Sequence, residues 1–334
     1  MLRTAFVAAT TAAALFASAA AAQMPSYVRI LSGSAGGNYF PMAGLLANAI
    51  SNPPGSRPCD QGGSCGVPGL IAIAQSSNGS SANVQAIQNG TAETGLAQSD
   101  VVHWAYTGTG SFDGREPMNG LRLIATLFPE HVHVALAKES KIASFQDLKG
   151  KKISIGPANS GAQIGALLLL ETAGMQRDAD YVSEEFNISL SAELLADGDI
   201  DAFVTVVGAP SSGIAQMAST VGVKLLAVPD PIRNDIVSAA PFYFLSPIPA
   251  NAYQGVEAET PTVAVAAQWV VSSAMPDDLV YGMTKALWNE TTRRLLDLGH
   301  VKGKEVQLDS ALEARGAPLH PGAERFYKEI GRLQ

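Results

Sequence analysis

The sequence contains little charge and few cysteines. Charged residues make up 16% of its 334 positions, and its 22 basic residues form no long run. Proteins that bind nucleic acid neutralise phosphates with clustered lysine and arginine, so the formal net charge of −8 argues against such a partner. After the N-terminus, no apolar run approaches the roughly 20 residues that a membrane span requires. The 47% of hydrophobic residues and the 32 glycines are typical of a globular chain.

The first 22 residues have the pattern of a secretory signal peptide. A basic start with Arg3 precedes an apolar, alanine-rich run over residues 4–19, and small residues at 20–22 offer a cleavage site. An uncleaved membrane anchor is the alternative, and the run is short for that role. The pattern therefore predicts export to the periplasm and a mature chain that begins at Gln23 and does not span the membrane.

Cys59 and Cys65 are the only cysteines, and they lie in a segment rich in proline and glycine. In an oxidising compartment, a pair this close in sequence indicates a local disulfide. Metal binding is the alternative, but two thiolates without a nearby histidine supply half of a zinc site. We therefore predict a disulfide between Cys59 and Cys65 that closes a surface excursion.

Apolar segments with strand periodicity alternate with segments of helical periodicity, which predicts an α/β fold. Residues 121–127 and 131–137 are predicted as two strands, and residues 263–271 as a long apolar strand. Residues 277–298 are predicted as the longest helix, which opens after Pro276. The spacing of these segments shows no internal repeat of the solenoid type.

Five predicted strand-to-helix junctions are small and polar. In α/β sheets such junctions lie at the carboxyl ends of strands, where ligands bind. Each one opens a predicted helix, whose free backbone N–H groups and positive dipole end favour an anion. Ordinary capping and turn formation explain any single junction, but five together favour a binding site for a small anion. The junctions are residues 32–38, 75–80, 98–100, 156–161 and 207–213.

Catalytic and metal-binding motifs are weak in this sequence. Residues 62–66 match the G-x-S-x-G pattern around Ser64, but a nucleophile elbow needs a strand before it and a helix after it. A proline-rich loop precedes this motif instead. His131 and His133 alternate along a predicted strand and lack a clear third metal ligand. The sequence therefore predicts no catalytic residue, no metal site and no cofactor.

Three charged residues near the predicted junctions have two interpretations each. Asp100 is either the N-cap of a helix or a partner for an ammonium group of a ligand. Arg122 at the start of a strand and Arg233 in a predicted loop are either partners of a ligand carboxylate or surface residues. The residues alone leave these alternatives open.

Several motifs together resemble the TAXI-type solute-binding proteins of TRAP transporters. A glycine-rich loop with an aromatic pair and proline opens the resemblance, and two polar junctions follow it. Further motifs are similar to the start of the family's second lobe and to its C-terminal end, so the resemblance covers nearly all of the mature chain. The motifs are GSAGGNYFP at 33–41, NGSSAN at 78–83, AQSD at 97–100, DLKG at 147–150, DGDIDAF at 197–203 and PLHPGA at 318–323.

The resemblance implies a two-lobe periplasmic binding protein fold of the type II-like class, with a ligand cleft between the lobes. It implies that lobe I comprises residues 23–130 and 262–334, and that lobe II comprises residues 131–261. It implies a receptor rather than an enzyme, which captures a small organic anion such as glutamate, a 2-oxo acid or a dicarboxylic acid and delivers it to TRAP membrane subunits. The implied ligand-binding residues are Gly37, Tyr39, Ser80, Gln98, Ser99, Asp100, Ser160, Gly161 and Gly208.

Two other functions stay open on the sequence. A binding protein of the same fold also serves ABC importers or periplasmic sensors, and the receptor's own sequence does not specify its partner. A periplasmic hydrolase is the remote alternative, because it rests on Ser64 alone.

Overall fold

The computed structural model describes residues 26–334, and the predicted signal peptide at residues 1–22 lies outside the described residues. Strands alternate with helices along this range, which confirms the predicted α/β class. The strands are β1 (Ser26–Leu31), β2 (Ser51–Asn52), β3 (Val67–Pro68), β4 (Leu70–Gln75), β5 (Thr94–Gln98), β6 (Leu121–Ala137), β7 (Lys152–Ser154), β8 (Val182–Glu184), β9 (Ala202–Val207), β10 (Val223–Leu225), β11 (Phe244–Leu245) and β12 (Val263–Ser272).

All five predicted junctions open a helix as predicted, and the other helices begin elsewhere in the described residues. Short 3₁₀ turns supplement them, including one at Val301–Glu305. The α-helices are α1 (Tyr39–Ile50), α2 (Ser80–Gln88), α3 (Ser99–Thr107), α4 (Gly161–Thr172), α5 (Ile188–Asp197), α6 (Ser212–Thr220), α7 (Asp230–Ala239), α8 (Asp277–Leu287), α9 (Glu290–Gly299) and α10 (Pro321–Glu329).

The main sheet has two parallel blocks joined by two long antiparallel strands. Its order is β4-β1-β5-β12-β6-β9-β7-β8, with β10 on β6 and β11 on β12. Strands β4, β1 and β5 are parallel to one another, and so are β8, β7 and β9. Strands β12 and β6 run antiparallel to each other and to the blocks that they flank. The carboxyl ends of both parallel blocks therefore carry the polar junctions that open helices.

Strand β6 corrects one prediction, because residues 121–127 and 131–137 form a single strand. Pro129 lies inside it and pairs with Ala266 of β12, beside a register shift between Ala267 and Gln268. Proline has no N–H to donate to a ladder, and such an irregularity accommodates it. The unbroken strand pairs with β12 over its first part and with β9 of the second parallel block further on.

The predicted helix over residues 277–298 is also wrong, because two helices, α8 and α9, occupy this range. The Oδ1 atom of Asn289 accepts a hydrogen bond of 2.8 Å from the backbone N–H of Thr292. This is the geometry of a helix N-cap, so Asn289 begins α9 rather than continuing α8.

The apolar core is divided between two halves of the chain. One core takes its buried side chains from residues 28–128 and 267–327. Two further cores take theirs from residues 132–265. We refer to the half around the first core as lobe I and to the half around the other two as lobe II. Strands β6 and β12 belong to both halves.

The predicted disulfide is present, since Cys59 and Cys65 are bonded in the excursion between β2 and β3. The excursion packs on the start of α9, where Cys65 Sγ lies 3.4 Å from Thr291 Oγ1. Ser64 lies in this excursion, and its hydroxyl donates to the backbone carbonyl of Ser51. Among residues 26–334, no helix is both long enough and apolar enough to cross a bilayer.

Candidate functional site

A cavity of about 360 Å³ lies between lobe I and lobe II. Its volume is within the range of pockets that hold small molecules. Serines, glycines and carboxamides dominate its wall, and the apolar surface comes mainly from β9 and Phe186. Its lining includes Gly33, Ser34, Gly37, Asn38, Tyr39, Ser76, Ser77, Asn78, Ser80, Gln98 and Glu130 from the lobe I side, and Gly156, Ser160, Gly161, Phe186, Asn187, Ser191 and Thr205 from the lobe II side.

The first turns of four helices border this cavity. Tyr39 begins α1 and Ser80 begins α2 in lobe I, while Gly161 begins α4 and Asn187 precedes α5 in lobe II. The backbone N–H groups of a first turn have no partner within their own helix and carry partial positive charge. Helices α1 and α2 have no side-chain cap. The backbone N–H groups of Tyr39 and Ser80, which line the cavity, therefore offer donors to a molecule there.

Six of the nine predicted ligand-binding residues line the cavity, and three do not. Of these three, Ser99 accepts a hydrogen bond of 3.2 Å at Oγ from the backbone N–H of Ala266. Asp100 lies behind the wall, and Gly208 packs against the side chain of Lys302. The six residues in the wall are Gly37, Tyr39, Ser80, Gln98, Ser160 and Gly161.

The serines and the carboxamide in the wall differ in how far they are already engaged. Ser80 Oγ accepts from the backbone N–H of Gln98 at 3.1 Å, and Ser160 Oγ accepts from the N–H of Gln163 at 3.0 Å. Ser160 is therefore the N-cap of α4 as well as a wall residue. Gln98 Oε1 is buried and has no hydrogen-bond partner. Its carboxamide is thus free to bond to a solute, as an acceptor or, with the amide turned over, as a donor.

The two lobes touch on several sides of the cavity. The backbone N–H of Ala82 in α2 donates to the carbonyl of Asn159 at 3.0 Å, and the N–H of Gly213 in α6 donates to the carbonyl of Gly36 at 2.9 Å. Asn38 Nδ2 donates to the carbonyl of Pro210 at 2.9 Å. These bonds hold the lobes together around the cavity.

Glu130 is a wall residue that the sequence analysis missed. It lies at the middle of β6 and is only 2% exposed. Its Oε2 atom accepts a hydrogen bond of 2.5 Å from the Tyr39 hydroxyl. Burial raises the pKa of Glu130 to about 8, against the opposing effects of the Tyr39 hydrogen bond and of Lys302. Burial and the neighbouring carboxyl also raise the pKa of Tyr39 well above its usual value.

A second buried carboxyl, Asp100, lies in the first turn of α3 and accepts a hydrogen bond of 2.9 Å from the Tyr243 hydroxyl. The N-cap of α3 is Gln98, so the interpretation of Asp100 as the N-cap is wrong. Burial raises the pKa of Asp100 to about 6. Tyr243 belongs to a core of lobe II, so this bond also joins the two lobes.

Lys302 is a buried cation that the sequence analysis also missed. Its side chain is 1% exposed, and its ammonium group pairs with Glu305 in the same 3₁₀ turn. The Nζ atom lies 5.7 Å from the centre of the Phe128 ring. Burial lowers the pKa of Lys302, and Glu305 and Glu130 oppose that effect. Lys302 does not line the cavity, but its charge acts on Glu130 from behind the wall.

A model of the NMT1-like family matches residues 30–331. The chain belongs to the NMT1-like family. This is a family of periplasmic solute-binding proteins. The family match covers both lobes and the cavity between them, so the general class of receptor predicted from the sequence is confirmed. The narrower assignment to the TAXI type stays a prediction.

Solved structures are similar to this NMT1-like protein at low sequence identity. One protein from Bordetella bronchiseptica RB50 is 14% identical, covers 92% of this chain and 89% of its own, and has a TM-score of 0.51. A structure described as a periplasmic transporter is 15% identical, and the match covers 92% of this chain and 93% of that chain with a TM-score of 0.50. A TctC solute binding protein from Polaromonas is 15% identical, and the match covers 94% of this chain and 100% of that chain with a TM-score of 0.49. The predicted two-lobe periplasmic binding protein fold is confirmed.

The two histidines of β6 have structural partners in this NMT1-like protein. His131 Nε2 lies 3.0 Å from Ser246 Oγ, and His133 Nε2 lies 2.9 Å from the Tyr253 hydroxyl. Burial lowers the pKa of His131 to about 3 and that of His133 to about 4. Over residues 26–334, no three His, Cys, Asp or Glu side chains converge to hold a metal ion.

Neither arginine considered as a carboxylate partner lines the cavity. Arg122 Nη1 donates to the backbone carbonyls of Asn119 and Leu121. Arg233 lies in helix α7 rather than in the predicted loop, and it pairs with Asp230 at the start of that helix. No lysine, arginine or histidine is found among the described residues that line the cavity.

Proposed function

We propose that this NMT1-like protein is the periplasmic receptor of a TRAP transporter of the TAXI type and that it captures a small organic anion. The cavity between the lobes, with helix starts from both lobes in its wall, is the observation that carries this proposal. Family membership supports the receptor function, and the motifs at residues 33–41, 78–83 and 97–100 support the TAXI type.

The chemistry of the wall favours an anion, although no basic side chain lines the described cavity. Free N–H groups at the starts of α1 and α2 point positive partial charge at the space between the lobes, and hydroxyl groups supply directional donors. The acidic net charge of the chain does not oppose this, because the local field at a helix end outweighs the total. We expect six wall residues to contact the solute: Gly37, Tyr39, Ser80, Gln98, Ser160 and Gly161.

The three other predicted residues support the site from behind. Ser99 connects α3 to β12, Asp100 connects α3 to Tyr243 of lobe II, and Gly208 leaves room for Lys302. A side chain at position 208 would meet Lys302, since a Cβ there would lie 2.8 Å from its Cε atom. We therefore expect substitutions at these positions to act through the alignment of the two lobes.

Capture follows from the two-lobe arrangement. An anion first meets the helix starts of lobe I in an open form, and lobe II then closes and completes the hydrogen bonds. We propose that residues 23–130 with 262–334 and residues 131–261 move as the two bodies, about the shared strands β6 and β12. The closed form docks on the TRAP membrane subunits in the periplasm, where the Cys59–Cys65 disulfide persists. The process needs no covalent step and no cofactor.

A thermal-shift screen of the mature protein tests the capture of an anion. A ligand at 100 times its dissociation constant adds about 2.7 kcal/mol of stability, which corresponds to roughly 4 °C at this size. We expect such a shift with a small carboxylate from a panel of amino acids, 2-oxo acids, dicarboxylic acids and neutral sugars. A shift with sugars alone would contradict the anion proposal. Mass spectrometry of the denatured protein shows whether a co-purified solute already fills the cavity.

Uptake measurements test the transporter partner separately. Solute uptake that requires this chain and an ion gradient supports a TRAP transporter. Uptake that requires this chain and ATP hydrolysis, and that persists when the gradient is dissipated, would assign the receptor to an ABC importer instead. Turnover of ester or amide substrates that is lost in Ser64→Ala would be needed to support a hydrolase.

A further inference from the structure

Glu130 has an unusual place among the residues that line the cavity. Along the described part of the wall, only Glu130 and Tyr39 carry side chains that ionise. A bound anion therefore meets a carboxyl group and no basic side chain. Two carboxylates that share a buried site repel each other, and one of them then holds a proton. The protonation state of Glu130 thus decides whether an anion fits next to it.

Charged or titratable groups from three elements act on Glu130, and Tyr243 acts through one of them. Tyr39 of α1 donates its hydroxyl to Oε2, and Lys302 of the 3₁₀ turn at Val301–Glu305 attracts the carboxylate form. Asp100 of α3 opposes the carboxylate form through its own negative charge, and the Tyr243 hydroxyl is bonded to that Asp100. Lys302 is already paired with Glu305, so its charge is partly compensated.

Together these effects favour the neutral, protonated form of the Glu130 carboxyl group. Burial is the largest influence, and it raises the pKa of Glu130 to about 8 although Tyr39 and Lys302 act in the opposite direction. The Tyr39 hydrogen bond occupies Oε2. A proton on Oε1 leaves the Tyr39 hydrogen bond in place, and the O–H group formed there is a hydrogen-bond donor.

We propose that Glu130 makes solute capture proton-dependent, because its neutral carboxylic acid donates through Oε1 to a carboxylate oxygen of the solute while Tyr39 holds Oε2. This inference rests on the proposed function of a receptor for organic anions. It assigns Glu130 as a ligand-binding residue and makes one proton part of the bound complex. The proton stays on Glu130 and is shared in a charge-assisted hydrogen bond with the solute.

Thermodynamic linkage sets the expected pH dependence. A carboxylate beside Glu130 stabilises its neutral form further, so binding takes up a proton wherever the free protein has lost it. Below about pH 7 Glu130 is already protonated in the free protein, so its titration does not change the affinity with pH. Above about pH 8 the affinity falls by up to about tenfold per pH unit.

Calorimetry of the mature protein with succinate, 2-oxoglutarate and glutamate tests this proposal. The strongest binder of the three is titrated at several values between about pH 6 and pH 9.5, in buffers with different ionisation enthalpies, which counts the protons taken up. We expect uptake to rise from near zero to nearly one proton across this range. Proton release, or an affinity that increases with pH, would overturn the proposal and would mean that ionised Glu130 binds a cationic group.

Two variants separate this role from a purely structural one. Glu130→Gln still donates a hydrogen bond but does not titrate, so we expect it to bind up to about tenfold more weakly at pH 6 and to lose the decline above pH 8. Tyr39→Phe removes a bond that favours the carboxylate form, so the decline moves to higher pH. A decline that is unchanged in both variants would show that another group is responsible.

The outcomes also distinguish this proposal from the proposed function. If a probe binds without proton uptake at any pH, Glu130 does not have this role and the receptor function stands. If none of the three carboxylates binds at any pH, the function as an anion receptor fails, and the role of Glu130 fails with it.

Discussion

Gly161 of lobe II and Gln98 of lobe I approach each other so closely that a methyl group on Gly161 would lie 2.2 Å from Gln98 Oε1. The same methyl group would lie 2.7 Å from the hydroxyl of Ser80. Both atoms are the ends of buried side chains of the opposite lobe that line the cavity, so both would have to shift to admit the methyl group. The absence of a side chain at position 161 therefore permits the close approach of the lobes in this form.

Gly161→Ala is expected to weaken solute binding by about tenfold or more, because the added methyl group holds the lobes apart. The fold itself should tolerate the change, since position 161 begins α4 and alanine is a good helix former. Calorimetry measures the affinity, and small-angle scattering measures the compaction that accompanies binding.

Gly44→Ala in α1 is the matched control for this variant. It also replaces a helical glycine, but no atom lies within 4 Å of the added Cβ. We expect Gly44→Ala to bind and compact as the wild type does. If Gly161→Ala closes and binds equally well, the contact with Gln98 does not limit closure.

Ser160→Ala and Gln98→Ala are expected to weaken binding by about tenfold each, through the loss of a hydrogen bond to the solute. Ser160→Ala should also lower the unfolding free energy by about 1 kcal/mol, because Ser160 caps α4. Gln98→Ala leaves every helix cap bond in place. Calorimetry and urea unfolding of both variants measure the two effects separately.

Asn289→Ala provides the control for the cap. Asn289 caps α9 with the same geometry, but it does not line the cavity. The variant Asn289→Ala should therefore have its unfolding free energy lowered by a similar amount, and it should bind the solute as tightly as the wild type does. If the affinity of Ser160→Ala matches that of Asn289→Ala, Ser160 is a cap and nothing more.

The sequence was sufficient to predict the parts of the site that depend on local structure. Small polar residues at the ends of strands open helices because they cap N-termini and allow tight turns, and the five predicted junctions do so. The Cys59–Cys65 disulfide was predictable for the same reason, since its partners are close along the chain.

The buried charges could not be predicted in this way. Glu130 lies in the wall because β6 continues through Pro129 and pairs with β12, which is more than 100 residues away in the chain. Lys302 acts on Glu130 from a turn near the C-terminus. Only tertiary packing creates these neighbours. The one local signal was a carboxylate at the middle of a largely apolar strand.

A double substitution, Cys59→Ser with Cys65→Ser, is expected to lower the unfolding free energy by about 2 kcal/mol, as the closure of a short loop predicts. Solute affinity should stay the same, because the excursion packs on Thr291 and Asn289 rather than on the cavity. Urea unfolding and calorimetry with and without reductant test both statements. An affinity that falls with the disulfide would mean that the excursion supports the cavity.

The stability of the protein without solute should depend on pH through Glu130. The pKa of its carboxyl is about 8 in the folded protein and returns to its usual 4.5 on unfolding. Between these values unfolding releases a proton, so the contribution of Glu130 to stability is full below about pH 4.5 and is lost as the pH rises through about 8. Glu130→Gln has no such contribution, because glutamine does not ionise.

Urea unfolding of the wild type and Glu130→Gln across this window measures that contribution. As the pH rises, the unfolding free energy of the wild type should fall relative to that of Glu130→Gln, by at most about 1.4 kcal/mol per pH unit. The difference between the two proteins should stop changing above about pH 8. Asp100→Asn is the comparison. Because the pKa of Asp100 is about 6, the difference in unfolding free energy between the wild type and this variant should stop changing above about pH 6. Parallel curves for wild type and Glu130→Gln would show that Glu130 ionises in the folded protein as it does in water, which would also remove the basis for proton-dependent capture.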